Sequence, residues 1–500
     1  MKPDYAKYPQ IPPNCSLNYN AKSDLYQVYR EQRIKNLDTG AIKVVRETIG
    51  SIRNGVFTFG QTYLKQEEIR RKDAEIARLR ELVAKLTKGT DTRLAEQTEK
   101  QAPLVQDAIK TATIDSSLES RRKSSIVVPL SDIALVSLMS ALCGKSDAQS
   151  IADFAKNHAE FFKKFFKGFN SVNMTRDTVR RALLLAKTEA MGDFYMRLTQ
   201  ALVKTGTERV IPADGQAVRA TGTRTKEHAE LRGASYLMNV FDASTRVCLA
   251  HRLIPKKTNE MTVGPQLLAG LDINGAVVTA DAMNCQVRFV TTVLAGGADY
   301  LISLKGNQDK TNSEAYNLFA TTHEDQIVTY KQDVECGHGR IEQRTIDVIS
   351  GRLASPMLKQ KWEGLESGSF VRIRKQVIIK KTGQTTDEYS YYVTSLPCEQ
   401  GCGEHILSIV RAHWAIENNL HWILDVYWNQ DRMQATNGKY ISNRSLLNKL
   451  ALALLEHYRV WLYDKGLLPD NRDISIPALQ ARCANPKSAI ECLAAGFKYI

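Results

Sequence analysis

The chain has 500 residues, of which 43% are hydrophobic and 24% charged, a composition that suits about three folded domains and excludes a disordered or fibrous protein. Its 68 Lys and Arg against 54 Asp and Glu leave a formal charge of +14, which favours a polyanionic partner. No run of about 18 uncharged apolar residues occurs, so no membrane span is expected. The nine scattered cysteines and the lack of a secretory-type start predict a cytoplasmic protein.

The first 125 residues carry weak signals. Residues 1–60 are mixed and polar and predict no definite structure. Residues 61–88 contain apolar residues seven apart, which fits either a short coiled coil that self-associates or a surface helix docked on the body. This heptad segment is built on Ile69, Ile76 and Val83. Residues 89–125 are rich in Thr, Gln, Ser and Lys and predict a polar linker.

Residues 126–205 predict a helical domain, because apolar residues recur at helical spacing. One of its helices is expected to start at Thr175, a residue type that caps helix N-termini. The basic residues of this region leave two alternatives open: a helix-turn-helix reader of duplex DNA, or a helical lid packed on the next domain. These residues are Lys164, Arg176, Arg180 and Arg181.

From residue 206 the pattern changes to short apolar strands. Three strands within 208–255 predict an antiparallel meander. Two continuous apolar runs, at 275–283 and 299–307, alternate with helices and predict parallel pairing.

The alternation is interrupted at residues 327–396, which predict a β-rich insertion. Strong helical patterns return afterwards, so residues 206–326 and 397–460 are assigned to one α/β core. Residues 461–500 form a short C-terminal tail of uncertain structure.

Three acidic residues stand at positions that suggest chemistry. Asp214 and Asp281 each close an apolar strand, and ligands of open α/β sheets gather outside the carboxyl ends of strands. Glu417 lies on a later, aromatic-rich helix. Clustered carboxylates repel one another unless cations neutralise them, and Mg²⁺ favours such oxygen ligands. Two Mg²⁺ ions, or Mn²⁺ in their place, would make a phosphodiester-transfer site. The alternative is that each strand-end Asp only caps a turn.

Several blocks of the sequence resemble the DDE transposases of bacterial insertion sequences, particularly the H-repeat-associated branch. The blocks are PADGQAVRATG (212–222), TNEMTVGPQLLAGLDINGAVVTADAMNCQ (258–286), DYLISLKGNQ (299–308), GHGRIEQRTIDV (337–348) and HWAIENNLHWILDVYWNQD (413–431). The resemblance covers roughly 126–460. It implies a ribonuclease-H-like mixed-sheet catalytic core, with Asp214, Asp281 and Glu417 matching the catalytic and metal-binding acidic triad, preceded by the helical domain. The helical or coiled-coil N-terminal extension within residues 1–125 has no counterpart in the family.

The sequence departs from that family in places. Gln216 replaces the Lys that usually follows Asp-Gly at the first acid, which removes one cation near the DNA. The hairpin-forming relatives carry Tyr, Arg and Lys around the Glu, where this chain has Val410, His413 and Leu424, so hairpin chemistry does not carry over.

Around Glu417, Asp425 is the alternative third acid, and His421 is expected to brace the helix by pairing with Asp425 rather than to contact phosphate. Trp414 and Trp422 either stack on an unpaired base or pack in the core, with packing favoured. The candidate DNA contacts are Arg219, Lys305, Asn307, His338, Arg340, Arg411, His413, Trp414, His421 and Trp422.

The resemblance therefore predicts a DNA transposase that binds the terminal inverted repeats of its element, cleaves phosphodiesters with Mg²⁺ and joins the ends to target DNA. Bringing two ends together requires at least a homodimer. No Walker loop is present, so no use of ATP is expected, and a nucleoid-associated protein is implied. The alternatives are a domesticated DNA-binding or assembly factor with a silent core, and a Mg²⁺-dependent nuclease without strand transfer.

Overall fold

The computed structural model describes residues 11, 14–21, 24–35, 42–54, 56–60, 63, 119–122, 124, 126–164, 168–203, 208–222, 233–255, 259–337, 339–435, 437–468 and 474–498. The chain divides into two compact units, Met1–Ala102 and Pro103–Ile500. Apart from Tyr63, the heptad segment lies outside the described residues, as does most of the linker predicted over 89–125.

The described part of the first unit forms an antiparallel sheet in the order β1-β2-β3-β4. Its strands are β1 (Cys15–Asn20), β2 (Leu25–Lys35), β3 (Ile42–Arg53) and β4 (Val56–Phe59). The apolar core under this sheet comprises Ile11, Val28, Ile49, Ile52, Phe57 and Tyr63. For residues 1–60 the sequence predicted no definite structure, and the elements described there are these four strands. The core is small and polar residues fill the strand positions outside it, so the strands left no clear apolar pattern.

The second unit begins with helices. They are α1 (Leu130–Leu142), α2 (Ala148–Asn157), α3 (Ala159–Phe162), α4 (Arg176–Leu185) and α5 (Thr188–Ala201). The side chain of Thr175 accepts a hydrogen bond from the backbone N–H of Thr178 and so caps α4, as the sequence predicted. These helices share one apolar core with a long later helix, α12 (Gly438–Asp464).

A mixed sheet forms the centre of the second unit, and ten of its strands lie within the described residues, in the order β10-β12-β13-β14-β9-β8-β5-β6-β7 with β11 paired to β12. The strands are β5 (Arg209–Val218), β6 (Ser235–Asp242), β7 (Val247–Ile254), β8 (Ala276–Ala280), β9 (Asp299–Leu304), β10 (Ile327–Lys331), β11 (Glu335–Gly337), β12 (Arg340–Ser350), β13 (Ser369–Ile379) and β14 (Thr385–Thr394). The predicted meander β5-β6-β7 is antiparallel, and β5, β8 and β9 pair in parallel, as predicted.

The β-rich segment 327–396 joins this same sheet, because β14 pairs antiparallel with β9. Alternate residues of β8 then face opposite layers, as the pleat of a strand requires. Val277 packs with α10 (Cys402–His413), whereas Val278 packs with α6 (Glu260–Leu268) and α7 (Val287–Ala295). The strands that carry the first two acids are thus buried on both faces.

The remaining helices are α8 (Asp309–Thr321), α9 (Pro356–Lys361), α11 (Trp422–Tyr427), α13 (Ile476–Arg482) and α14 (Pro486–Lys498). Between α10 and α11 the chain makes a π-helical turn, Glu417–His421. Of the helices that the structure describes, none combines the length and the apolar character needed to cross a membrane.

Candidate active site

The first two acids lie side by side because of the parallel pairing of β5 with β8. That pairing ends at Ala213 opposite Ala280, so Asp214 and Asp281 are the next residue on each strand. Asp281 follows the end of β8, as predicted. Asp214 does not end its strand, since β5 continues to Val218 by pairing with β6 alone. Asp214 therefore lies at the point where the pairing of β5 with β8 has ended and β5 pairs with β6 alone.

Asp281 also caps a tight turn, the role that the sequence left as its alternative. Its Oδ1 accepts hydrogen bonds from Met283 N at 3.1 Å and from Asn284 Nδ2 at 3.4 Å. The segment after β9 holds the same turn, since Asn307 donates to the carbonyl of Ala282. The amide of Asn307, predicted to contact DNA, therefore positions the loop that carries Asp281.

Glu417 reaches the same edge from the π-helical turn. Such turns occur mostly as single interruptions of α-helices and often at functional sites. One ligand atom from each of Asp214, Glu417 and His421 lies within 4.8 Å of the others. His421 Nδ1 is 3.0 Å from Glu417 Oε2 and 3.7 Å from Asp214 Oδ2. Asp281 is outside this group of three.

The carboxyl groups differ in their electrostatic setting. Burial, together with the negative charges of Glu260 and Asp281, raises the pKa of Asp214 to about 6, against the opposing effect of His421. Glu417 is more exposed, and the hydrogen bond from His421 lowers its pKa. Negative charge is therefore crowded at Asp214, as expected for a site built to hold a cation.

Glu260 is a fourth acid at this edge, and the sequence analysis missed it. It opens α6, and its carboxylate lies directly against Gly215, where an added Cβ would overlap Oε1. Burial and the charge of Asp281 raise the pKa of Glu260. The Gly that follows Asp214 was the available signal, because a Gly in a strand often marks a close approach of another group. Asp214, Asp281, Glu260 and Glu417 are called the carboxylate cluster below.

The two ring nitrogens of His421 contact Glu417 and Asn239 rather than Asp425, so the predicted His421–Asp425 pair is wrong. The side-chain amide of Gln216 donates to Asp425 Oδ1 at 3.1 Å, and Gln430 in turn donates to Gln216 Oε1 at 2.7 Å. Gln216 is buried. Position 216 of this chain is therefore an interior position that holds a neutral amide, and the effect of Gln216 on DNA affinity stays a prediction.

Three predicted contacts meet beside Asp281. Lys305, His413 and Trp414 line a cavity of about 510 Å³ together with Asp281 and Tyr391. His413 Nδ1 lies 2.9 Å from the hydroxyl of Thr279 on β8, and burial lowers the pKa of the imidazole. The lining of the cavity thus includes an acidic side chain, a basic side chain and aromatic rings.

Two predicted DNA contacts are held by acidic partners. Arg411 forms an ion pair with Glu335 at 2.5 Å. Arg219 is exposed, and its backbone N–H and guanidinium both contact Asp431. Each arginine would have to share its charge with a carboxylate if it bound phosphate.

The two tryptophans beside Glu417 are not core residues. Trp414 is 61% exposed and Trp422 is 52% exposed, so the favoured packing alternative is wrong and the stacking role stays a prediction. Arg340 is exposed at the start of β12. His338 lies outside the described residues.

A second cavity, of about 500 Å³, is lined by four arginines. Arg176 and Arg180 come from α4, Arg432 precedes α12, and Arg444 lies on α12. Among the described residues, no carboxylate lies within ion-pair distance of Arg176, Arg180 or Arg432. This arginine cavity is suited to an anionic ligand.

The donor atoms of the carboxylate cluster are chemically suited to a hard divalent cation. Carboxylate oxygens are the ligands that Mg²⁺ and Mn²⁺ prefer, whereas the described residues offer no thiolate in the group around Asp214. A cation would also relieve the repulsion that raises the pKa of Asp214. The residues present therefore fit a divalent metal.

Comparison with known proteins gives a consistent result. Residues 205–454 match the family model of the transposase DDE domain. The "Putative transposase YncI" of Escherichia coli O157:H7 is 28% identical over 342 residues, which are 67% of this chain and 84% of that protein. The "H repeat-associated putative transposase YhhI" of Escherichia coli strain K12 is 25% identical over 338 residues, or 66% of this chain and 86% of that protein.

Proposed function

The chain belongs to the DDE transposase-domain family, and on that premise we propose that it cleaves DNA at the ends of a mobile element and joins the freed 3′-ends to target DNA. Asp214, Asp281 and Glu417 are the catalytic triad. The observation that carries the proposal is that Asp214 and Glu417, far apart in sequence, have ligand atoms within 4.8 Å, while Asp281 occupies the neighbouring strand position.

The proposed catalytic core is ribonuclease-H-like. The antiparallel meander β5-β6-β7, continued through β8 and β9 in parallel, supports this assignment. The helices that precede it, over 126–205, are proposed as a helical domain that packs on the core, and DNA binding through a helix-turn-helix stays a prediction beside the alternative of a helical lid.

The triad would hold two Mg²⁺ ions, for which Mn²⁺ can substitute. Bound Mg²⁺ would supply Lewis-acid stabilisation of the charge that develops on the phosphate. The protein contributes fixed geometry, because Asp214 and Asp281 extend from adjacent buried strands and need no rearrangement. Chemistry of this kind requires no covalent protein intermediate.

Double-stranded DNA is the proposed substrate, both as terminal inverted repeats and as target. The formal charge of +14 and the arginine cavity support a polyanion partner. Lys305, His413 and Trp414 line the cavity beside Asp281 and are the proposed contacts nearest the triad. We place the reaction on DNA of the nucleoid, in a homodimer or larger assembly, without ATP.

The test is a Mg²⁺-dependent cleavage assay on a duplex that carries the inverted repeats flanking the coding region. We expect specific cuts at the repeat ends and joining of 3′-ends to a target plasmid, both abolished by Asp281→Asn. Asp325→Asn is the matched control, because that acid lies in an exposed turn beside His323. Cleavage that survives Asp281→Asn contradicts the triad.

The same assay separates the alternatives. Cutting without any joining of ends would identify a nuclease that lacks strand transfer. Binding to the repeats without cleavage under Mg²⁺ or Mn²⁺ would identify a silent DNA-binding factor.

A further inference from the structure

His421 is almost fully buried between the carboxylate cluster and a polar chain in the interior. On one side its Nδ1 contacts Glu417 Oε2 at 3.0 Å, and on the other its Nε2 lies 2.9 Å from Asn239 Nδ2. Asn239 and Lys449 are both buried to 1% exposure or less. The ring contacts Asp214 and Glu417, the two acids proposed to bind metal. His421 therefore either binds the metal itself or orients the carboxylate of Glu417.

The interior chain is the row of hydrogen-bonded side chains that starts at Asn239 and Lys449. Its donors and acceptors allow a single arrangement. Lys449 Nζ lies 2.5 Å from Asn239 Oδ1, and burial lowers the pKa of Lys449 to about 8, so near pH 7 the group is mostly an ammonium that can only donate. The Asn239 atom that faces Lys449 must therefore be the oxygen. Its NH₂ group then faces His421 and donates, so His421 Nε2 is an unprotonated acceptor.

The hydrogen bonds beyond Lys449 have the same donor-to-acceptor direction. Lys449 also lies 2.7 Å from His251 Nδ1, which must accept, so His251 carries its proton on Nε2, 3.1 Å from the hydroxyl of Ser442. Both His251 and Ser442 are buried. Every member of the chain is thus satisfied with one orientation, and a buried network of this kind is rigid.

We propose that Lys449 and Asn239 are positioning residues, which fix His421 as the neutral tautomer with its proton on Nδ1. His421 then donates to Glu417 and holds one carboxylate oxygen, leaving the other oxygen for the metal. The Nδ1 atom has no free lone pair, and the lone pair of Nε2 is used by Asn239, so His421 does not bind the metal. The inference deepens the proposed function by stating how the third acid is oriented.

The tautomer is measured on the full chain labelled with ¹⁵N-histidine, with His421→Gln used to assign the signal. We expect Nδ1 of His421 to be protonated and Nε2 unprotonated at neutral pH, both without metal and at saturating Mg²⁺. Loss of the Nδ1 proton on adding Mg²⁺ would show that His421 is a ligand and would overturn the proposal. A proton on Nε2 in the metal-free protein would do the same.

Asn239→Asp tests the direction of the chain with an isosteric change. The new carboxylate still accepts from Lys449, but it now accepts from the ring as well, so Nε2 of His421 should become protonated. This variant keeps a partner for Lys449 and so protects the fold. An unprotonated Nε2 in Asn239→Asp would show that Asn239 does not set the tautomer.

Mg²⁺ affinity, measured by titration calorimetry, tests the consequence for Glu417. Lys449→Met keeps the length of the side chain but removes the donor to Asn239 Oδ1, so that only the hydrogen bond to Leu237 O holds the amide, and we expect Mg²⁺ binding weaker by about 10-fold, the low end of the loss for residues that orient a ligand. Asn443→Ala is the control, since Asn443 is equally buried on α12 but donates to Leu183 O, away from His421. Equal Mg²⁺ affinity in Lys449→Met and wild type would refute a positioning role. Neither readout depends on DNA cleavage, so a failed cleavage assay leaves this test intact.

Discussion

The carboxylate cluster and the arginine cavity place opposite charges in different surroundings. In the cluster, Asp214 is fixed on a buried strand and crowded by other acids, so that its pKa rises to about 6. In the cavity, Arg176 and Arg180 extend from one face of α4 into an opening of about 500 Å³. The first region is narrow and rigid, and the second is wide and solvent-accessible.

The difference indicates a division of labour. A rigid cluster of acids defines a position for cations and for one phosphate, which is what a bond-breaking step requires. Arginines that line an open cavity would neutralise backbone phosphates without reading sequence. Changes in the cluster should therefore affect cleavage, whereas changes in the cavity should affect DNA affinity.

The largest effect is expected from Glu417→Gln. The amide keeps the shape of the side chain but binds a divalent cation poorly, so cleavage should fall to background. DNA affinity should be unchanged or slightly higher, because one negative charge is removed near the substrate. Gel-shift titration and cleavage assays on the same duplex measure the two effects. Glu366→Gln, an exposed acid outside the site, is the control. A parallel loss of binding in Glu417→Gln would contradict the division of labour.

The double change Arg176→Gln with Arg180→Gln tests the arginine cavity. Each phosphate contact contributes about −0.9 to the slope of log affinity against log salt, so losing two should reduce the slope by about 1.8. Cleavage at saturating DNA should persist. Arg181→Gln is the matched control, since Arg181 is exposed on the same helix but does not line the cavity. An unchanged salt slope in the double variant would remove the cavity from the DNA path.

A smaller effect is expected from Gly215→Ala, which tests the packing of the carboxylate cluster. The new methyl group would overlap the carboxylate of Glu260, which is the far end of a flexible side chain and can swing aside, so we expect a loss of unfolding free energy of about 1 kcal/mol, the low end of overpacking costs. Denaturant titration measures the loss. Adding Glu260→Ala to the same chain should restore most of the stability. A loss that persists in the double variant would show that the overlap with Glu260 is not its cause.

The sequence predicted the parts of the site that depend on local pattern. The buried strands β8 and β9 and the helices after them were visible as continuous apolar runs between turns, and Asp281 at the end of β8 followed from them. Glu417 was a candidate because of its place on a later helix, and its match to the family's triad came from the resemblance. Its approach to Asp214 depends on how α10 packs on the sheet, which no local pattern encodes.

Contacts between distant segments could not be predicted. Glu260 lies in the sequence block 258–286, one of those that resemble the family. Only the pairing of β5 and β6 brings Gly215 beneath it. The partner of His421 was assigned to Asp425, although the same helical spacing also allows a contact with Glu417, four residues earlier, which is the pair that forms. Asn239 is distant in sequence, so its contact with the other side of the ring could not be predicted.

The smallest predicted effect concerns Asp425, next to the cluster but outside it. Burial, together with the charge of Asp431, raises the pKa of Asp425 to about 7, although Gln216 donates to it. Its folded-state pKa exceeds the unfolded value of about 3.9, so its contribution to stability is complete below about pH 4 and is lost as the pH rises through about 7. Asp425→Asn removes this dependence. The difference in unfolding free energy, variant minus wild type, should therefore increase between pH 4 and pH 7, as measured by denaturant titration at each pH. A difference that stays constant over this range would show that the folded protein does not raise the pKa of Asp425.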